Sequence, residues 1–243
     1  MKYYVKQKQV SYGEAIGIIL LENYIPFIPG DVANATTYNF PVRFQRVSGF
    51  TVDRIMNHDM TILDEILEAA KKLQAEGVRA ITGDCGFMVL YQDQISEVVD
   101  VPVFMSSLLQ IPFIRLILNQ EDKIGVITSN AQSLDENVLT RAGVQYPQKL
   151  VIEGLEKKDH FFSVGFKEEG MLDTQLIEEE VLEVAHTIIE KDPTVKALLL
   201  ECSILPPYGA AIQAATGLPV FDYMTMINFV FSAVVKHTFQ GYM

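Results

Sequence analysis

The chain has no tryptophan, two cysteines and four histidines among 243 residues. The cysteines form no CxxC, and His58, His160, His186 and His237 are scattered, so the clustered ligands of a structural zinc site are missing. Basic residues are few. Nineteen Lys and Arg against 31 Asp and Glu leave a formal charge of −12, which opposes attraction to nucleic acid and to anionic bilayers. No apolar run approaches the roughly 20 residues of a membrane span, and the N-terminal stretch MKYYVKQKQVSYGEA lacks the apolar centre of a signal peptide. These absences lead us to expect a cytoplasmic protein with reduced thiols and neither a nucleic-acid nor a membrane partner. There is also no P-loop, no GxGxxG after a strand and no GxSxG elbow. Apolar residues, in contrast, make up 49% of the chain, enough to build a core without disulfides or metals.

Two stretches repeat. Residues 78–104 (VRAITGDCGFMVLYQDQISEVVDVPVF) and 195–221 (VKALLLECSILPPYGAAIQAATGLPVF) align without a gap. The matched pairs are Val78/Val195, Ala80/Ala197, Cys85/Cys202, Tyr91/Tyr208, Ile95/Ile212, Pro102/Pro219, Val103/Val220 and Phe104/Phe221, and Asp84/Glu201 and Arg79/Lys196 agree in charge. Ile124-Gly125-Val126-Ile127 likewise echoes Ile16-Gly17-Ile18-Ile19. Such self-similarity predicts two like halves.

Apolar runs such as 15–21 read as buried parallel strands. Amphipathic stretches at 59–76 and 173–191 read as helices, the first capped by Asp59 and stopped by Gly77, the second closed by Asp192-Pro193. Further helices are expected at 106–118 and 223–239. Alternating strands and helices predict an α/β protein: two pseudo-symmetric doubly wound parallel-sheet domains with the active site in the cleft between them. Residues 1–118 plus 222–243 would form one domain and 119–221 the other. The Pro/Gly/Asn/Thr-rich segment 24–50 reads as a loop covering or lining a site, offering Asp31, Asn34, Thr36, Thr37 and Arg43. Residues 154–170, with Phe161, Phe162 and Phe166, read as an insertion or flap. The apolar segment 223–231 serves either the core or a homo-oligomer contact.

In open parallel sheets ligands bind beyond the carboxyl ends of the strands, where turn and helix amides favour anions. Cys85 and Cys202 fall at such ends, where a thiol pKa is expected to be lowered. A lone cysteine beside a strand is usually a core filler; two at one matched position argue for function. Opposed thiols can remove a proton from one face of a carbon and return one to the other, inverting a stereocentre, with donors stabilising the enolate-like intermediate. Asp84 and Glu201, one residue before each cysteine, either cap the adjoining turn, raise the thiol pKa by like charge, or steer proton transfer, depending on geometry.

On the two cysteine units, the restart at Ile124 and the segment Glu201-Cys202-Ser203-Ile204-Leu205-Pro206, the chain resembles the aspartate/glutamate racemase superfamily, which includes hydantoin racemases, arylmalonate decarboxylases and maleate isomerases. The resemblance implies a cofactor-independent (PLP-independent) two-thiol mechanism. It also implies that turns after the first strand of each half hold the substrate carboxylate: Glu22 and Asn23 in one, Thr128, Ser129 and Asn130 in the other. Gly86 and Phe87 follow Cys85 where amino-acid racemases of the superfamily carry Asn and Thr, suggesting a different or bulkier ligand. Ser203 keeps the hydroxyl of the usual Gly-Cys-Thr. The expected activity is that of an isomerase, a racemase or epimerase acting next to a carboxylate or carbonyl of an amino acid, hydantoin or related small molecule. The alternatives are a decarboxylase or cis-trans isomerase of the same superfamily, or a non-catalytic binder of a small carboxylate.

Overall fold

A computed structural model describes residues 2–5 and 7–243; Met1 and Lys6, within the expected first domain, lie outside the described residues. The strands are β1 (Ile16–Leu20), β2 (Val42–Arg46), β3 (Ala80–Gly83), β4 (Lys123–Thr128), β5 (Leu150–Gly154), β6 (Val195–Leu200) and β7 (Val220–Phe221). They form two parallel sheets in the orders β2-β1-β3 and β5-β4-β6-β7. The helices are α1 (Val52–Met56), α2 (Leu63–Ala75), α3 (Gln92–Val98), α4 (Ile111–Ile117), α5 (Glu136–Arg141), α6 (Asp159–Gly165), α7 (Thr174–Lys191), α8 (Gly209–Thr216) and α9 (Tyr223–Val234).

The repeated Ile-Gly in β1 and β4 is a packing requirement. A Cβ on Gly17 would meet Leu73 at 3.0 Å, and one on Gly125 would meet Ile188 and Leu198 at 2.6 Å. Each glycine thus lets a long helix, α2 or α7, lie close on its central strand. α2 buries Ile66, Ala69, Ala70 and Leu73, and α7 buries Ile177, Val181, Val184, Ala185 and Ile188, the one-sided stripe that a sheet-covering helix needs. Asp173 caps α7 by accepting from the N–H groups of Gln175 and Leu176. On the other face of the first sheet, Tyr223, Met226 and Ile227 of α9 pack against Ile16, Ile18 and Ala80. One apolar cluster runs from α2 and the Cys85 turn across to Ile124, Val126, Ala197 and Leu199 of the second sheet, joining the halves through side chains rather than through a shared sheet.

The structure departs from expectation in a few elements. The 24–50 segment contains β2, an edge strand of alternating side chains that its Pro- and Gly-rich flanks disguise in sequence. Arg43, on β2, pairs with Glu14 (3.1 Å) and Glu76 (3.0 Å) and so ties the sheet edge to the N-terminal segment and to the end of α2. Thr37 donates to the Asp31 carbonyl and accepts from Gly30 N–H, while Asn34 caps a 3-10 turn, Ala35–Thr37; these polar groups hold the loop itself. The expected helix at 59–76 begins with a 3-10 turn, Met60–Ile62. That at 106–118 is a 3-10 turn leading into α4, with Pro112 in its first turn, where a missing N–H costs nothing. α9 ends at Val234. Among the described residues no helix is long and apolar enough to cross a membrane.

Candidate active site

The carboxyl ends of β1, β3, β4 and β6 converge on one small cleft. Leu21 and Asn23 arrive from the end of β1, Asp84 and Cys85 from β3, Ser129 from β4, and Cys202, Ser203 and Ile204 from β6. Val52, Ile55 and Met56 of α1 and Phe161, Gly165 and Phe166 of the α6 region supply an apolar and aromatic wall. Both cysteines are free thiols, Cys85 buried and Cys202 half-buried. Cys85 is extended (φ −151°) before the 3-10 turn Gly86–Tyr91. Cys202 opens a turn in which Leu205 N–H bonds its carbonyl at 3.2 Å, and Pro206-Pro207 then begin a second 3-10 turn.

The carboxylates that precede the thiols do the same work in each half. Leu21 N–H donates to both oxygens of Asp84, at 3.0 and 3.2 Å. Ser129 N–H donates to Glu201 Oε2 at 3.3 Å, and the Thr128 hydroxyl adds a second bond there at 2.8 Å. Counted from Ile16 and Ile124, Leu21 and Ser129 are equivalent positions. Each acid therefore closes the end of its central strand. The halves are locked together across the cleft: the Ser203 hydroxyl donates to the Asp84 carbonyl, and the Ser107 hydroxyl bridges the carbonyls of Leu200 and Glu201 at 3.0 Å each.

The expected lowering of the thiol pKa values is not found. Burial pushes both thiols well above the ordinary cysteine range, and the nearby Glu201 carboxylate pushes each further. Backbone N–H groups of Phe87 and Ile204 do oppose this at Cys85 and Cys202 respectively. They lose because each thiol sits over a short turn, with no long helix dipole behind it, and desolvation outweighs them. Burial likewise raises both Asp84 and Glu201 to about 7.

Of the residues singled out in the sequence, Cys85, Cys202, Asn23, Ser129 and Ser203 meet at the cleft. The Ser203 hydroxyl, however, is committed to Asp84. Glu22 accepts from Gly49 N–H at 2.6 Å and from the Tyr24 hydroxyl at 3.1 Å, and the Gly49 bond is the leading reason its pKa is lowered; it holds the 24–50 segment rather than facing a ligand. Thr128 serves Glu201, and Asn130 accepts from the N–H groups of Gln132 and Ser133. Phe87 is wholly buried. Gly86 is covered by Glu201: a Cβ there would lie 1.8 Å from Oε1 and 2.5 Å from Cδ. Gly86→Ala is therefore expected to cost about 1–3 kcal/mol by overpacking, read as a lower urea midpoint at unchanged slope.

Sequence reasoning missed the α1 wall. Val52, Ile55 and Met56 at i, i+3, i+4 spacing after the capping Thr51 were the available signal. Among the described residues no three His, Cys, Asp or Glu side chains are placed to hold a metal ion.

No family model matches the chain. It is 32% identical over 235 residues to dimethylsulfoniopropionate lyase 7 of Emiliania huxleyi (strain CCMP1516), covering 92% of this chain and 68% of that protein. The chain belongs to the dimethylsulfoniopropionate lyase family. A dimethylsulfoniopropionate lyase of Durusdinium sp. clade D is 29% identical over 230 residues, covering 92% and 76% of the two chains. Among solved structures, allantoin racemase from Pseudomonas fluorescens superposes with a TM-score of 0.63 at 16% identity, over 91% of both chains. The Gly74Cys mutant of arylmalonate decarboxylase superposes with a TM-score of 0.61 at 14% identity, over 93% and 97%. The fold is thus that of the aspartate/glutamate racemase superfamily, as the cysteine units implied. The expected isomerase activity is corrected: the sequence relatives are lyases, so membership of the dimethylsulfoniopropionate lyase family replaces the racemase assignment.

Proposed function

We propose that the chain is a lyase that cleaves dimethylsulfoniopropionate, or a closely similar β-sulfonium carboxylate, by β-elimination. The observation that carries this reading is a cleft with two thiols, an aromatic wall and acidic but no basic side chains acting on the thiols, in a chain of that lyase family. The charges acting on the two thiols come from Asp31, Asp84 and Glu201 and from the thiols themselves, with no cation among them. Such surroundings favour a substrate with a cationic pole. The sulfonium methyl groups fit against Phe161, Phe166 and Met56, since aromatic faces attract cations. The buried Asn23 Oδ1, which has no hydrogen-bond partner, adds a partial negative charge. The Ser129 hydroxyl is left for the substrate carboxylate.

Chemically, one thiolate takes the proton on the carbon next to the carboxylate. The electron pair of that C–H bond becomes the new Cα=Cβ bond, and the Cβ–S bond breaks with its electrons going to sulfur. The sulfonium leaves as neutral dimethyl sulfide, acrylate remains, and the proton resides on the thiol. A racemase shares the first step; the two reactions part when a neutral leaving group departs from the β carbon.

Incubation with dimethylsulfoniopropionate should release dimethyl sulfide into the headspace and acrylate into solution in equal amounts, measured by gas chromatography and proton NMR. Folded protein that forms neither product from this substrate or its close analogues would sink the reading.

A further inference from the structure

The repeat is broken at one atom. Asp84 spends both carboxylate oxygens on Leu21 N–H. Glu201, its counterpart, is longer by one methylene; Oε2 alone takes the bonds from Thr128 and Ser129, and Oε1 is buried with no hydrogen-bond partner. That free oxygen lies over Gly86, the residue after Cys85, in a space that any other residue at position 86 would fill. Glu201 itself is fully buried, and it is the strongest charge acting on Cys85 and on Cys202 alike.

We propose that Glu201 Oε1 is the acceptor of the proton that leaves the catalytic thiol. The S–H bond breaks, the electron pair stays on sulfur as thiolate, and the proton forms an O–H bond on Oε1; the thiols and Glu201 together carry one negative charge before and after. The proposal deepens the lyase reading, and it rests on that reading only for the identity of the substrate.

The physical reason is charge accounting. The titratable groups around Glu201 and the thiols are Asp31, which bears on Cys202, Asp84, which bears on both thiols, the Tyr91 phenol, which feels Cys85, and the Tyr223 phenol, which feels both thiols, Asp84 and Glu201. None is a cation. A thiol that lost its proton to bulk water would add a second negative charge beside the buried Glu201, which is costly at low dielectric. Passing the proton to Oε1 adds none. An unpartnered buried carboxylate oxygen is otherwise an unexplained expense. Oε1 is not hydrogen-bonded to either sulfur in this structure, so transfer requires a side-chain movement, for which an oxygen with no competing donor is free.

The test is the pH dependence of Glu201→Gln, which keeps the length of the side chain and an acceptor for Thr128. With Glu201 as proton acceptor, the wild-type acid limb of kcat/KM marks protonation of the shared thiol–carboxyl unit. In Glu201→Gln the thiol must ionise unaided, so the limb should move to higher pH by at least one unit and the rate at pH 7 should fall at least tenfold. A carboxylate that only repels the thiolate predicts the reverse, because its removal eases ionisation; a limb that moves down or stays in place overturns the proposal.

Iodoacetamide alkylation of each cysteine, followed by peptide mass mapping over the same pH range, gives the same comparison without substrate. It separates failure of this proposal from failure of the lyase reading. Should Glu201→Gln not fold, Thr128→Val removes a donor that favours the ionised carboxylate. The acid limb should then rise if Glu201 receives the proton; a limb that falls or does not move overturns the proposal.

Discussion

Alanine at one of the two cysteines is expected to reduce dimethyl sulfide formation by about 10³-fold, and at the other by clearly less, with unfolding midpoints close to wild type. A general base contributes roughly 10²–10⁴-fold, and elimination needs proton removal on one face of the substrate only. The second thiol then has a supporting part, filling its side of the cleft and adding to the charge that its neighbour feels. The loss should fall on kcat with KM little changed, since the thiol acts on the transition state rather than on substrate binding. Serine at the critical position should be as inactive as alanine, because a hydroxyl does not ionise in the accessible range. Equal and complete losses at Cys85 and Cys202 would point back to chemistry on both faces. Full activity in both variants would remove the thiols from the reaction altogether.

The second large effect concerns stability. Asp84 and Glu201 are held near 7 by burial, against ordinary values near 4. An acid whose folded pKa is raised binds its proton more tightly in the folded state, so its contribution is fully present below the unfolded pKa and is lost as pH rises through the folded one. At about 1.4 kcal/mol per pH unit, each acid removes on the order of 3 kcal/mol between pH 4 and pH 7. Asp31 and Asp222 are raised by burial as well and act in the same direction. Asp59 and Asp192, lowered to about 2 by side-chain hydrogen bonds to Thr61 and Arg54 and to Lys123 and Thr194 respectively, act oppositely, but their contribution is lost only as pH falls below 4. Urea titrations should therefore show stability declining from pH 4.5 to pH 7.5, with Asp84→Asn flattening the decline. A rise over that range would show that the buried acids do not dominate.

The correction from racemase to lyase has a chemical cause. In the elimination proposed here, as in a two-thiol racemisation, a thiolate removes a proton beside a carboxylate, so one arrangement of cysteines at the ends of parallel strands serves either reaction. On this proposal the two outcomes part at the β carbon, by what leaves it and what surrounds it. Those surroundings come from α1 and the α6 region, distant in sequence from either cysteine and carrying no motif of their own. Glu22, Thr128 and Asn130 show a related limit. Polar side chains after a strand satisfy backbone groups as readily as they bind ligands, and a hydrogen bond from the N–H of Gly49 to Glu22, or of Gln132 to Asn130, is invisible until the chain is folded.

The sequence by itself determined the two halves, the parallel α/β architecture and the pairing of Cys85 with Cys202. Those follow from local periodicity and from a repeat whose equivalent positions must occupy equivalent places. The Ile-Gly echo put Gly17 and Gly125 at equivalent positions, and the folded chain showed that they admit α2 and α7. Only the tertiary structure decided that the thiols are held protonated by burial rather than ionised by a helix, that Asp84 and Glu201 close the ends of the central strands, and that one oxygen of Glu201 is left over beside Gly86. The reason is that pKa values and hydrogen-bond partners depend on contacts between residues far apart in sequence, within a half for the bonds to Asp84 and Glu201 and across the cleft for Glu201 over Gly86. A repeat specifies each half, but not the groups that the two halves bring against each other.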